Sequence, residues 1–182
     1  MNNSDNQKNS HKKATMVSLT VFFVVLLLAA GGLYIFNAVQ KSHQIIPGAI
    51  QNQLNFTVFW PNKSSPVQGD KSTIKYNAPE KLLTFIAHKS DGNYITFSEQ
   101  PTPESFIDVP QSYDKLIESM LQYKAFDSPD GKVYLTHPKT LNGGQTAVMN
   151  ARGVLIFAKP DKDISDDAWA RIFNNLKLLD QP

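Results

Sequence analysis

The sequence predicts an α+β fold: a single N-terminal transmembrane helix, then an antiparallel β-sheet domain of about seven short strands packed with two helices. Three observations carry that expectation. An almost wholly apolar run of 21 residues, Met16–Phe36, lies near the N-terminus. From Phe56 onward, short β-branched and aromatic runs alternate with Gly, Pro and Asp turn signals. Two later stretches, 112–121 and 165–176, space their apolar residues at the helical period.

The apolar run comes first in the chain. No residue from Ala14 to Gln40 is charged. As a helix, the 21 residues of the run span about 31 Å, the thickness of a bilayer's hydrocarbon core. A lone span facing lipid has to be helical, because a single strand leaves its backbone groups unpaired. The rival is a cleaved signal peptide, with Lys8, Lys12 and Lys13 as its basic leader and Ala29-Ala30-Gly31 as its cleavage site. Such a peptide carries an apolar core of only about 7–15 residues. Here the core is longer and continues past the small residues through Leu33, Tyr34, Ile35 and Phe36. A retained single-pass signal-anchor is therefore expected. Lys8, Lys12 and Lys13 precede the span, whereas Lys41 is the only lysine or arginine after it until Lys63. The positive-inside rule then puts the N-terminus in the cytoplasm and the C-terminus outside the cell membrane. The expected layout is a disordered cytoplasmic tail (1–13), the transmembrane helix (14–38), a stalk broken at Pro47-Gly48 (39–54) and an extracytoplasmic α+β domain (55–179).

Composition narrows the function classes. The chain has 182 residues, 41% hydrophobic and 19% charged, too apolar as a whole to remain disordered. It has no cysteine, which excludes disulfides, thiolate zinc sites and iron–sulfur clusters. Residues 37–182 carry 15 basic and 15 acidic side chains, so the net charge of +2 belongs to the tail. A formally neutral domain argues against a nucleic-acid partner.

The strands follow in order. Phe56–Trp60 is aromatic and β-branched and closes on Pro61-Asn62. Thr73–Tyr76 follows a polar loop containing Pro66 and Gly69. Leu82–His88 and Tyr94–Ser98 flank Lys89-Ser90-Asp91-Gly92-Asn93, a hairpin signal with Asp-Gly at its tip. Lys132–Thr136 opens after Ser128-Pro129-Asp130-Gly131 and stops before Pro138. Gln145–Asn150 and Val154–Ala158 flank a second hairpin at Ala151-Arg152-Gly153. Tight turns between short strands imply antiparallel pairing.

Two helices complete the domain. Tyr113, Leu116, Ile117, Met120 and Leu121 recur at helical spacing, with Ser112 placed to cap the first turn. Ser165 precedes Asp166 and Asp167, acids suited to a helix N-terminus. Trp169, Ile172, Phe173 and Leu176 then fall at i, i+3, i+4 and i+7, a stripe that would cover one sheet face.

Three segments carry a family resemblance: FTVFWP (56–61), YITFSEQPTP (94–103) and the ending GVLIFAKP with ISDDAWARIFNNLKLL (153–179). In order and type they resemble small bacterial extracytoplasmic α+β domains. These include PsbP-like domains and an uncharacterised domain of anti-sigma-factor-related single-pass membrane proteins. The resemblance implies an antiparallel sheet packed with helices and carries over no site residue.

Candidate chemistry is sparse. His88 and His137 fall in the domain on separate strand ends, without the spacing of a zinc site. Asp161, Asp163, Ser165, Asp166 and Asp167 form the one acidic cluster, whose D-x-D-x-S opening resembles a calcium loop with Asp161, Asp163 and Asp166 as candidate ligands. The EF-hand needs Gly at the sixth position and Glu at the twelfth, where this chain has Asp166 and Ile172, so a capped helix start is the plainer reading. There is no G-x-S-x-G elbow, and nothing in sequence joins Ser98 and Glu99 to His88. Asn142-Gly143-Gly144 is a turn rather than a phosphate cradle. The loop from Glu99 to Val109, with Glu99, Gln100, Phe106 and Ile107, is the candidate interaction surface, set against the plainer reading that Phe106 and Ile107 are core.

These residues point to a membrane-anchored, non-catalytic binding or interaction module outside the membrane. Its partners would be the bilayer and an unknown protein or small ligand, with no cofactor. A single-pass regulator of the anti-sigma-related kind and an extracytoplasmic hydrolase are the alternatives.

Overall fold

A computed structural model of the chain describes residues 45–109, 111–137 and 144–179. The expected tail, transmembrane helix, first stalk residues and Asn142-Gly143 turn lie outside the described residues. Among the described residues no helix is long and apolar enough to cross a membrane.

The described chain is a mixed α+β fold. Its elements are α1 (Gly48–Gln51), β1 (Phe59–Pro61), β2 (Val67–Asn77), β3 (Leu82–Lys89), β4 (Tyr94–Pro101), α2 (Glu104–Asp108), α3 (Gln111–Ser119), β5 (Gln122–Asp127), β6 (Lys132–Thr136), β7 (Thr146–Ala151), β8 (Val154–Pro160), α4 (Asp166–Phe173) and β9 (Leu176–Leu178). Seven strands form one antiparallel sheet in the order β2-β3-β4-β8-β7-β6-β5, and β1 and β9 form a separate antiparallel ribbon. The sheet thus consists of two meanders, β2–β4 and β5–β8, joined where β8 pairs with β4 from Ile95↔Pro160 to Pro101↔Val154.

The two expected hairpins are present, joining β3 to β4 and β7 to β8. In the β3–β4 hairpin Gly92 has φ +83°, and the Lys89 amide donates to Asn93 O at 2.8 Å. In the β7–β8 hairpin Arg152 and Gly153 sit at φ +54° and +78°, the positive pair of a type I′ turn matched to strand twist.

One face of the sheet carries Leu83, Phe85, Ile95, Phe97, Ile156 and Met149, all 1% exposed or less. Trp169, Ile172 and Phe173 of α4 cover it, with Phe59 and Trp60 of β1. Phe85 stacks on Phe97 at 5.0 Å and meets Trp60 at 4.5 Å. At about 25 cal/mol per Å² of apolar area, each such aromatic contributes roughly 2–3 kcal/mol on burial.

The connection from β4 to β5 explains the other face. The chain leaves the middle of the sheet and must reach its far edge, so α2 and α3 lie over β6, β7 and β8. Ile117 and Met120 pack there on Val148 and Leu155, with Phe106, Tyr113 and Tyr134 alongside. Accordingly β7 and β8 are buried nearly throughout, whereas β3 and β4 alternate buried and half-buried residues.

Several sequence expectations are corrected. The first strand begins at Phe59 rather than Phe56. β2 starts at Val67, so the polar segment before Thr73 is part of an edge strand with an irregularity between Asp70 and Lys75. β5 and β9 are additional strands, and α1 and α2 are additional helices. Ser112 lies inside α3 rather than capping it. Leu121 is beyond the helix at φ +54°, and Leu176 belongs to β9.

Candidate functional site

The loop between β8 and α4 is built from polar ties. Ser165 caps α4 by accepting from the Ala168 amide, and Asp166 and Asp167 occupy the first turn. Asp161 accepts the Tyr94 amide at 3.0 Å, and Asp163 accepts the Gln145 amide at 3.0 Å. The Gln145 side chain is the hub. Its carbonyl accepts from the Ile164 amide at 2.8 Å and from Trp169 Nε1 at 3.1 Å, and its amide donates to the Tyr123 hydroxyl at 2.9 Å. Burial, then Asp166, raises the Tyr123 hydroxyl pKa.

These ties separate the three carboxylates of the calcium candidate. Asp161 and Asp163 each hold a different backbone amide, and Asp166 pairs with Lys124 Nζ at 2.8 Å. Among the described residues no group of three or more His, Asp or Glu converges as a metal site requires.

The loop also forms one wall of an open cleft of about 550 Å³. The facing wall is the β3–β4 hairpin with Lys89, Ser90 and Asp91, and the start of β2 contributes Pro66 and Val67. Ala168, Arg171 and Ile172 enter from α4, and Lys162 from the loop. Val67 and Ile172 are buried at its base, while Lys162 and Arg171 are exposed at its rim. Lys89 Nζ and Asp91 Oδ2 form an ion pair at 2.7 Å. Asp91 is held below its ordinary pKa by that hydrogen bond and by the Asn93 amide.

The candidate interaction loop divides. Glu99 is fully buried in β4, opposite Leu83 and Ile156, and is no part of a surface loop. The period-two pattern Ile95, Phe97, Glu99 puts it on the core face. Its Oε2 accepts the Phe59 amide at 2.9 Å, satisfying an N–H on the outer edge of β1, whereas Oε1 has no partner among the described residues. Burial drives its pKa well above the ordinary carboxyl value, opposed by the Phe59 hydrogen bond. Gln100 is half-buried in β4 opposite Leu155. Phe106 packs against Tyr113 at 5.5 Å between ring centres, while Ile107 is 67% exposed.

The histidines stay apart. His88 faces Asp70 across β2–β3 at 3.6 Å, and His137 stacks on Tyr123 at 4.8 Å. Ser98 pairs with Thr84 and Phe157, four residues along β4 from Tyr94, the neighbour of His88. Sequence reasoning missed Lys89, Lys162, Arg171 and Gln145. They come from four separate segments, and no spacing links them before the chain folds.

Fold and cleft define a small α+β domain with a concavity between a hairpin tip and a helix start. Comparison with family models, with curated proteins and with solved structures gives no match to this chain.

Proposed function

We propose that the protein is a membrane-tethered, non-catalytic binding module that presents its α+β domain outside the cytoplasmic membrane. The observation that carries the reading is the uncharged, 21-residue apolar run ahead of a folded domain, with lysines on its N-terminal side. The disposition of the polar side chains supports it. Asp161, Asp163 and Gln145 are spent on holding a loop, and Glu99 on holding β1, which is the work of a scaffold. The cleft then offers a concave surface on rigid elements, where recognition residues are commonly set.

A reporter fused after Pro182, together with protease treatment of intact spheroplasts, tests the topology. The reading expects an external reporter, a digestible domain and a chain that stays with membranes through alkaline carbonate washing. An internal reporter or release of intact chain by the wash overturns it.

A further inference from the structure

We infer that the cleft at the start of α4 binds a small organic anion, its phosphate or carboxylate held by Lys162 and Arg171 above an apolar base. The inference rests on the binding-module reading and adds the chemical class of the ligand. Size admits it: about 550 Å³ is within the roughly 300–1,000 Å³ of small-ligand pockets.

Charge selects the sign. Five charged side chains line the cleft: Lys89, Asp91, Lys162, Asp163 and Arg171. Lys89 and Asp91 neutralise each other at 2.7 Å. Asp163 has one oxygen committed to the Gln145 amide. Lys162 and Arg171 have no ion-pair partner among the described residues. Against them stands the single carboxylate of Asp163, so the charged lining sums to +1, which favours anions over cations. The arginine fork matches two oxygens of a phosphate or carboxylate, and the lysine adds a point charge.

The base selects the rest of the ligand. Pro66 is exposed and Ile164 half-buried on the cleft wall, with Val67 and Ile172 buried behind them, an apolar surface suited to an organic body and poor for a bare hydrated ion. The walls are set before binding. The Asn93 amide donates to Asp91 Oδ1 at 3.0 Å in the hairpin, and Gln145 fixes Ile164 and Trp169 on the other side. Rigid walls spare the ligand the entropic cost of ordering them.

Calorimetric titration of the full chain in a non-ionic detergent tests this with four soluble probes: phenyl phosphate, benzoate, benzyl alcohol and benzylamine. Binding of phenyl phosphate or benzoate, weakening as salt rises and absent for the alcohol and the amine, supports it; phenyl phosphate alone identifies a phosphate ligand, and both identify a general oxyanion site. Lys162→Glu with Arg171→Glu is expected to lower affinity at least tenfold, while Lys177→Glu on β9 leaves it unchanged. All three are exposed side chains, and circular dichroism checks that the variants fold. No binding of either anion with Kd below about 1 mM overturns the inference, as does equal binding of benzylamine or an unaffected double variant. Release of inorganic phosphate from phenyl phosphate would keep the anion site and overturn the non-catalytic reading. Failure of the topology test with anion binding intact would overturn the tether alone.

Discussion

Replacing Glu99 by Gln is expected to stabilise the fold by an amount that grows with pH. The carboxyl is fully buried, has one hydrogen bond from Phe59 N and one oxygen without a partner among the described residues. Its ionised form is therefore desolvated with little return, and its folded pKa lies well above the ordinary value of 4.5. The sign follows from linkage. Above pH 4.5 the unfolded chain releases this proton while the native state keeps it, so stability falls as pH rises. The slope is about 1.4 kcal/mol per pH unit, for as long as the native carboxyl stays protonated. Glutamine keeps an acceptor for Phe59 N and cannot ionise. The wild type and the variant should accordingly differ little near pH 4 and diverge at about 1.4 kcal/mol per unit above it. Other titrating groups cancel in the difference. Urea unfolding followed by tryptophan fluorescence measures it, since the chain's two tryptophans, Trp60 and Trp169, are both buried. Glu99→Leu supplies the control. It strands the Phe59 N–H, an offset of about 1–3 kcal/mol that the acid limit reveals. A wild-type–Gln difference that is flat with pH, or that grows in favour of Glu, refutes the reasoning.

Three further outcomes are expected. Gly69→Ala should cost about 1–3 kcal/mol in urea unfolding, because a Cβ there would run into the buried Trp60 ring. Gly153→Ala should cost about 1–2 kcal/mol, through the φ of +78° at the β7–β8 turn. Gln145→Ala strands the Ile164 and Trp169 N–H groups, at about 1–3 kcal/mol each, and should shift Trp169 emission and speed exchange of the Ile164 amide.

Local chemistry made part of the fold legible in sequence. Asp91-Gly92 marked the β3–β4 hairpin, Lys132–Thr136 stood out as β6, and Ser165 with its two acids marked the start of α4. The elements that escaped notice are those whose stability is tertiary. β5 is an edge strand with four of its six residues exposed, so Gln122–Asp127 lacks a clean alternation. Leu176 continues the helical spacing of Trp169, Ile172 and Phe173, yet pairing of β9 with β1 takes it from the helix. Gln68-Gly69-Asp70 reads as a loop because its partners, Ala87 and its neighbours in β3, lie far along the chain.

Glu99 shows how far pattern can go. Its place after Ile95 and Phe97 on a period of two puts it on the core face, which composition alone would assign to the surface. A buried acid then needs a reason, and the reason is topological. Among the described residues β1 lies outside the main sheet and pairs only with β9, so the Phe59 N–H on its other edge has no strand there to receive it. A side-chain acceptor from the middle of β4 closes that gap. Burial favours the neutral acid, which costs less to desolvate than the carboxylate, while the Phe59 amide pulls the other way. Loss of the acid's proton would strengthen the single Phe59 hydrogen bond yet leave a buried charge that only one backbone amide answers, so the native state as a whole would bear the desolvation cost.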